Sequence, residues 1–243
     1  MKFSEIPYVR PDVSAIKEEL TRLVSEFQHA KDAQTQISII KRYHDIMDEF
    51  DSYAQLAQVR HSINTKDEFY DKEQEFLNET GPEVQEYTVA FSKVMLESKF
   101  RSELEKELGS LLFEQAELAQ KVFSPTIIPD LQEENRLTTE YGKLTASAQI
   151  EFDGGTYNLS QMRTFATSTD RNTRHRAQLA VSNWFASHEE EFDHIYDQMV
   201  KVRTEMAKKI GYDNYVQMGY DRFSRLDYNS KDVKGYRDQV YKV

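Results

Sequence analysis

Apolar residues recur at steps of three and four along almost the whole chain, and little glycine or proline breaks the rhythm. That period places side chains on one face of an α-helix, whereas a strand needs a period of two. Ile16, Leu20, Leu23, Val24 and Phe27 form one such stripe, opened by Pro11 and Asp12. Ile39, Tyr43, Ile46, Met47, Phe50, Tyr53 and Leu56 form the next. Thr65-Lys66-Asp67-Glu68 reads as a capping box for a third helix through Phe69, Glu73, Phe76 and Leu77. Gly81-Pro82 is expected to interrupt that helix before spacing resumes at Val84, Tyr87, Phe91, Val94 and Met95, and another helix is expected from about Glu103 to Phe123. Only 8 Gly and 5 Pro occur in 243 residues, too few for the many tight turns of an all-β protein. The expected class is all-α, with elongated helical lobes.

The clearest internal boundary is Ser124-Pro125-Thr126-Ile127-Ile128-Pro129-Asp130, where two prolines bracket a short apolar stretch. It divides the chain into an N-terminal helical lobe, 1–124, and a second segment, 125–243. The second segment starts with a helix from about Asp130 to Ala148 and then changes period. Gln149-Ile150-Glu151-Phe152 alternates, Asp153-Gly154-Gly155 is turn chemistry, and Thr156-Tyr157-Asn158-Leu159 returns, so one short β-hairpin is expected near 149–159. A lone hairpin is marginal in water and must lie against helices. The longest helix is expected from Thr169-Asp170 to just before Gly211. Its stripe is Ala177, Val181, Trp184, His188, Phe192, Ile195, Met199, Val202 and Met206, which makes Trp184 a candidate core residue. A shorter helix follows from Tyr212 to Phe223. The last one, capped by Asn229-Ser230-Lys231-Asp232, carries Val233, Tyr236, Val240 and Val243 on one face up to the final residue, so it is expected to be truncated.

Charge and composition exclude several functions. The chain has 31 basic and 42 acidic residues, a net charge of −11, which disfavours nucleic acid and anionic membrane as partners. It has no cysteine, so disulfides and thiolate metal sites are ruled out. No stretch approaches the roughly 20 apolar residues of a membrane span, and the start has no apolar signal-peptide core. The expected location is the cytoplasm.

Reactive groups are sparse. Among His29, His44, His61, His175, His188 and His194 no pair stands four apart around a glutamate, as a helical zinc site requires. His188 and His194 are six apart, which points them roughly 120° from each other on a helix. His188 also lies on the apolar stripe and is read as a core or interface histidine, and Glu189 to Glu191 as a solvated face. Gly154-Gly155 is a turn, not a phosphate loop. Seven of the 14 tyrosines fall late, at Tyr196, Tyr212, Tyr215, Tyr220, Tyr228, Tyr236 and Tyr241. They suit either helix packing or an aromatic groove that hydrogen-bonds a peptide, and packing is the favoured reading. No catalytic, cofactor-binding or metal-ligating residue is assigned.

The run Ile128-Pro129-Asp130-Leu131-Gln132-Glu133-Glu134-Asn135-Arg136-Leu137-Thr138-Thr139-Glu140-Tyr141, continued by Ala146-Ser147-Ala148 and Ile150-Glu151-Phe152-Asp153-Gly154, resembles the N-terminal portion of the oligoendopeptidase F family. Asn158-Leu159-Ser160-Gln161-Met162, Asp170-Arg171-Asn172-Thr173-Arg174 and Lys209-Ile210-Gly211-Tyr212 continue the likeness in order. The resemblance implies part of a thimet-oligopeptidase-like zinc metalloendopeptidase that hydrolyses short peptides in an internal channel. The family's zinc ligands, on H-E-x-x-H and a later Glu, match nothing here, so this chain would form a channel wall, bind no zinc itself and be inactive alone. Its last helix would pair with the catalytic half or with another chain. The alternative is a stand-alone helical scaffold or interaction module with no catalysis.

Overall fold

The computed structural model describes residues 2–243, and helices dominate it. In chain order they are α1 (Val13–His29), α2 (Ala33–Ile63), α3 (Glu68–Leu96), α4 (Arg101–Leu108), α5 (Ser110–Lys121) and α6 (Ile128–Ala146). After strands β1 (Ile150–Phe152) and β2 (Gly155–Tyr157) come α7 (Leu159–Ala166), α8 (Arg171–Ser187), α9 (Glu189–Lys209), α10 (Tyr215–Arg222) and α11 (Ser230–Lys242). The all-α expectation with one hairpin holds. Seven helices start on an Asp or Asn whose side chain accepts a backbone N–H of the first turn: Asp12, Asp32, Asp67, Asn158, Asp170, Asn214 and Asn229. Each satisfies a donor that the helix cannot. For α3 the cap is Asp67, two residues after the expected Thr65, and Pro11 lies just before the Asp12 cap rather than inside α1.

The main core joins α1, α2, α3 and α5. Leu20, Leu23 and Phe27 meet Ile37, Ile40, Val84, Phe91 and Phe113, all buried. Phe91 stacks on Tyr43 (centroids 4.3 Å, planes 4° apart) and takes Phe27 edge-on at 5.6 Å. A second cluster gathers Phe123, Ile127 and Leu131 with Met206, Ala207 and Met218. A third buries the hairpin: Ile150 and Phe152 pack on Met162 of α7 and Ala177 of α8. Its strands pair Ile150 with Tyr157 and Phe152 with Gly155, and the turn at Asp153 (φ 46°) and Gly154 (φ 82°) has the two positive φ values a tight two-residue hairpin needs.

Gly81-Pro82 does not interrupt α3, contrary to expectation. Pro82 has no N–H, so the Asn78 carbonyl one turn earlier loses its helical donor. Asn135 of α6 supplies the replacement: its Nδ2 donates to Asn78 O at 3.2 Å, and Gln132 Nε2 donates to Glu79 O at 2.8 Å. The proline therefore leaves open a carbonyl that α6 uses to dock. Asn135→Ala should cost about 1–2 kcal/mol in urea unfolding, the cost of orphaning a part-buried carbonyl. In a Pro82→Ala background, where residue 82 regains its N–H, that cost should largely vanish; an equal cost in both backgrounds would refute the docking role.

Two expected single helices are each split. The 103–123 segment breaks at Gly109 (φ 87°), a left-handed conformation that a β-carbon resists. The long helix breaks at His188 (φ −117°, ψ 17°). There Ser187 Oγ donates to the Trp184 carbonyl at 2.8 Å and His188 Nδ1 also reaches it at 2.9 Å, occupying the acceptor that would carry the helix onward. Glu189, Glu190 and Glu191 then fill the first turn of α9, where negative charge complements the helix dipole. They are exposed. The split divides the stripe: Ala177, Val181 and Trp184 face the hairpin cluster, whereas Met206 faces the second cluster. Trp184 is half-buried against His188, Phe185 and Phe192, not a full core residue.

Candidate functional site

Asp130 and Glu134 stand one turn apart on the inner face of α6, and both are buried although charged. A buried carboxylate is tolerated only with partners. Glu134 accepts from Arg203 Nε of α9 at 2.6 Å and from Arg222 of α10 at 2.7 and 3.1 Å. Asp130 accepts from Lys209 Nζ at 2.7 Å. The residue before Arg222, Asp221, is also buried and reaches the other way. It pairs with Lys121 of α5 at 2.5 Å and accepts from Tyr212 Oη at 2.6 Å and Gln217 Nε2 at 2.8 Å. Adjacent residues of α10 thus grip α5 and α6, and α10 is locked between them.

Burial alone would raise the Glu134 carboxyl, but the hydrogen bonds and charges of Arg222 and Arg203 outweigh it and hold it below its usual value. At Asp221 burial is likewise overcome by Lys121, Tyr212 and Gln217. The Tyr212 hydroxyl is pushed up, first by burial and then by its bond to Asp221. Both carboxyls are depressed in the fold from ordinary values of 4.5 and 3.8, so the stability they contribute is complete above those values. It is lost as pH falls through the lower folded values. Urea midpoints should therefore be flat from about pH 7 to 5 on account of these groups and fall below about pH 4. In Glu134→Gln the acid slope should be visibly shallower; an unchanged slope would remove Glu134 from the account.

A concavity of about 660 Å³ lies between the ends of α2 and α3 on one side and α6 and α7 on the other. Its lining holds five carboxamides and six aliphatic hydroxyls but no acidic or basic side chain other than His61. Gln74 Nε2 donates to Asn78 Oδ1 at 2.9 Å, and Asn78 Nδ2 donates to Thr139 Oγ1 at 2.9 Å. Gln74 Oε1, at the head of this relay, is buried without a hydrogen-bond partner. Beside it, sharing Thr138 and Tyr141 of α6, an apolar groove of about 370 Å³ runs between Tyr141 and Phe192, Ile195, Tyr196 and Met199.

Residues 3–123 match the family described as Peptidase M3 N-terminal domain. Among solved structures, Pz peptidase A with an inhibitor is 44% identical (TM-score 0.95), and a protein named as an oligoendopeptidase F is 42% identical (TM-score 0.95). One named as an oligoendopeptidase F from Bacillus anthracis is 40% identical (TM-score 0.93). The chain belongs to the oligoendopeptidase F family of M3 peptidases. Each of those matches covers 99% of this chain but only 42–44% of the other, so it spans less than half of their length. No curated protein matches it.

M3 peptidases are metallopeptidases, and the residues of this oligoendopeptidase-family chain do not fit a metal centre. Among the described residues no three His, Asp or Glu side chains are grouped to hold an ion. The histidines are engaged separately or face solvent. His29 turns back to Ser25 O (2.7 Å), His61 pairs with Asp71 (3.1 Å), His44 lies against Tyr43 and His188 against Trp184. His175 and His194 are exposed. The late tyrosines divide. Tyr212 and Tyr215 serve packing and the carboxylate lock, with Arg222 donating to Tyr215 Oη at 3.0 Å. Tyr196, Tyr228, Tyr236 and Tyr241 are exposed. Sequence reasoning missed Asp130, Glu134 and Asp221; the available signal was Glu134 midway between Leu131 and Leu137 on an apolar face.

Proposed function

We propose that this chain is the N-terminal part of a zinc-dependent oligopeptidase and forms one wall of a channel that admits short peptides. On this reading it supplies no zinc ligand and no catalytic group, residues 1–124 and 125–243 act as two successive helical units, and the enzyme works in the cytoplasm. The observation that carries it is the near-complete match at TM-score 0.95 to less than half of peptidase chains, beside a scatter of histidines that cannot assemble a metal site. The bare face of α11 supports it: no residue of that helix is buried, and Tyr236 and Val240 are mostly exposed. A helix of 13 residues gains its stability mainly from packing, so such a face calls for a partner, here the polypeptide that corresponds to the rest of the relatives. No helix among the described residues is long and apolar enough to cross a membrane.

The test is reconstitution. The chain alone, dialysed and analysed for metal, should retain no stoichiometric zinc and should not cleave a quenched fluorogenic peptide. Co-expressed with the downstream half of the protein, it should yield chelator-sensitive turnover, and backbone amides from about Asn229 onward should become protected from hydrogen exchange. One tightly held zinc per chain, or chelator-sensitive cleavage by the chain alone, would overturn the assignment. Strong protection of α11 without the other half would favour a stand-alone helical module.

A further inference from the structure

We infer that the elbow between α10 and α11 is a docking site for an acidic side chain of the polypeptide that corresponds to the rest of the relatives, with Arg225 as the receiving group. The inference rests on the peptidase reading above and adds to it a residue and a chemistry. α10 ends in a tight, doubly bonded turn. Ser224 is left-handed (φ 50°), its N–H donates to Asp221 O at 3.0 Å, and the Arg225 N–H donates to Tyr220 O at 3.2 Å. These two bonds close a helix end whose left-handed position glycine fits best. Here a serine holds it against its own β-carbon. The turn sends the Arg225 side chain back over α10.

There it meets three rings. The guanidinium carbon lies 4.8 Å from the Tyr220 centroid, 5.2 Å from Phe223 and 5.6 Å from Tyr228, and Tyr228 meets Tyr220 edge-on at 6.4 Å. Other arginines of this chain that lie over rings also bond an acceptor. Arg10, Arg101, Arg176, Arg203 and Arg222 each bond a carboxylate. Arg60 donates to a tyrosine hydroxyl and to two carbonyl oxygens. Arg225 has more rings than any of these, yet among the described residues its guanidinium bonds no acceptor. The ion pairs nearest to it in sequence, Arg222 with Glu134 and Lys234 with Asp238, do not include it. A guanidinium held by rings presents its N–H edge in a fixed plane, the arrangement a carboxylate takes with two parallel bonds. Freedom already lost to the rings is not lost again on binding.

The acid comes from a partner, and the surroundings of Arg225 indicate which. Phe223, Leu226 and Tyr228 are exposed around it, so the carboxylate arrives in an apolar setting, as part of a folded surface. Five residues later begins α11, the helix that buries none of its residues. Elbow and bare helix thus form one continuous unpartnered stretch, and the relatives carry more than half of their length outside the match. Residues 223–243 hold five Lys and Arg against three Asp, in a chain of net charge −11. This stretch is basic where the chain as a whole is acidic, and it complements an acidic face.

The experiment measures the affinity of this chain for the downstream half and, on the same samples, peptide turnover. Arg225→Met should weaken association by about tenfold or more. Arg225→Lys, which keeps the charge but not the planar fork, should recover only part of that loss. Because Arg225 is exposed, the thermal midpoint of the free chain should hardly change in either variant. One Asp→Asn or Glu→Gln substitution in the downstream half should cause the same loss and add nothing further to Arg225→Met. Chelator-sensitive turnover with an association that Arg225→Met leaves unweakened overturns this inference and spares the peptidase reading. Association that depends on Arg225 but yields no turnover does the reverse. The inference is also overturned if the parent chain does not associate, or if the chain alone forms a dimer that Arg225→Met dissociates, which would make a second copy the occupant.

Discussion

Phe91→Ala should lower folding free energy by about 4 kcal/mol, near the upper part of the range for an aromatic removed from a core. Phe91 is 1% exposed and joins three helices: its ring lies flat on Tyr43 of α2 at 4.3 Å and meets Phe27 of α1 edge-on at 5.6 Å. Both contacts are lost with the ring, and paired aromatics add about 0.5–1.5 kcal/mol beyond their buried area. A crevice of about 180 Å³ already runs between Tyr43, Phe91 and α5, so deletion enlarges a space that its surroundings have not closed. In a chain of this size the thermal midpoint should drop by roughly 8–16 °C. A second readout is local. Burial pushes the Tyr43 hydroxyl up to about 12, and without its cover it should titrate closer to 10 in an ultraviolet absorbance titration. A loss below about 1.5 kcal/mol with Tyr43 still at about 12 would show that Phe91 is not the keystone of this core.

Helix identity was legible because local chemistry and long-range packing agree. The apolar period defines the inward face, and Asp12, Asp67, Asp170 and Asn229 mark starts that side-chain hydrogen bonds then make. The hairpin was legible for the same reason, from alternation around Asp153-Gly154. Continuity was not. Pro82 looks like a stop locally, and only α6, some 50 residues later, supplies the amides that let α3 pass through it. At His188 the reverse happens: the apolar period continues, but Ser187 and His188 side chains take the Trp184 carbonyl and end the helix. Period reports which face is buried and is blind to a bend that keeps that face inward.

The polar sites were harder for a related reason. A carboxylate on an exposed face and one inside an ion-paired core have the same letter, and Arg203, Arg222 and Glu134 lie up to 88 residues apart in sequence. What could be read was position: a Glu between Leu131 and Leu137 on an inward face must have found a cation. The cleft left even less trace, because Gln58, Gln74 and Asn158 come from three elements and no spacing links them.

Glu134→Ala should cost about 3 kcal/mol, whereas Arg203→Ala or Arg222→Met should each cost only about 1 kcal/mol. The asymmetry follows from the layout. Glu134 is the hub, 5% exposed, and it accepts from both guanidiniums. Losing one arginine leaves it paired with the other, but losing Glu134 strands two cations of like sign that face each other. Arg203 is partly exposed and can turn to water, which keeps the figure at the low end of the 3–5 kcal/mol typical of broken buried pairs. Arg222 has less freedom, since its guanidinium also donates to Tyr215 and lies beside Met206. A double-mutant cycle on Glu134 and Arg222, read by urea unfolding, should give a coupling of at least 1 kcal/mol. The consequence reaches α11. Arg222 and Asp221 are the two anchors of α10, and the chain passes from α10 through only seven residues, 223–229, into α11. Glu134→Ala should therefore accelerate hydrogen exchange in α10 while sparing α1 to α3, whose core lies elsewhere. Equal losses for hub and spokes, or exchange that rises uniformly over the chain, would show that the carboxylate lock does not hold α10 in place.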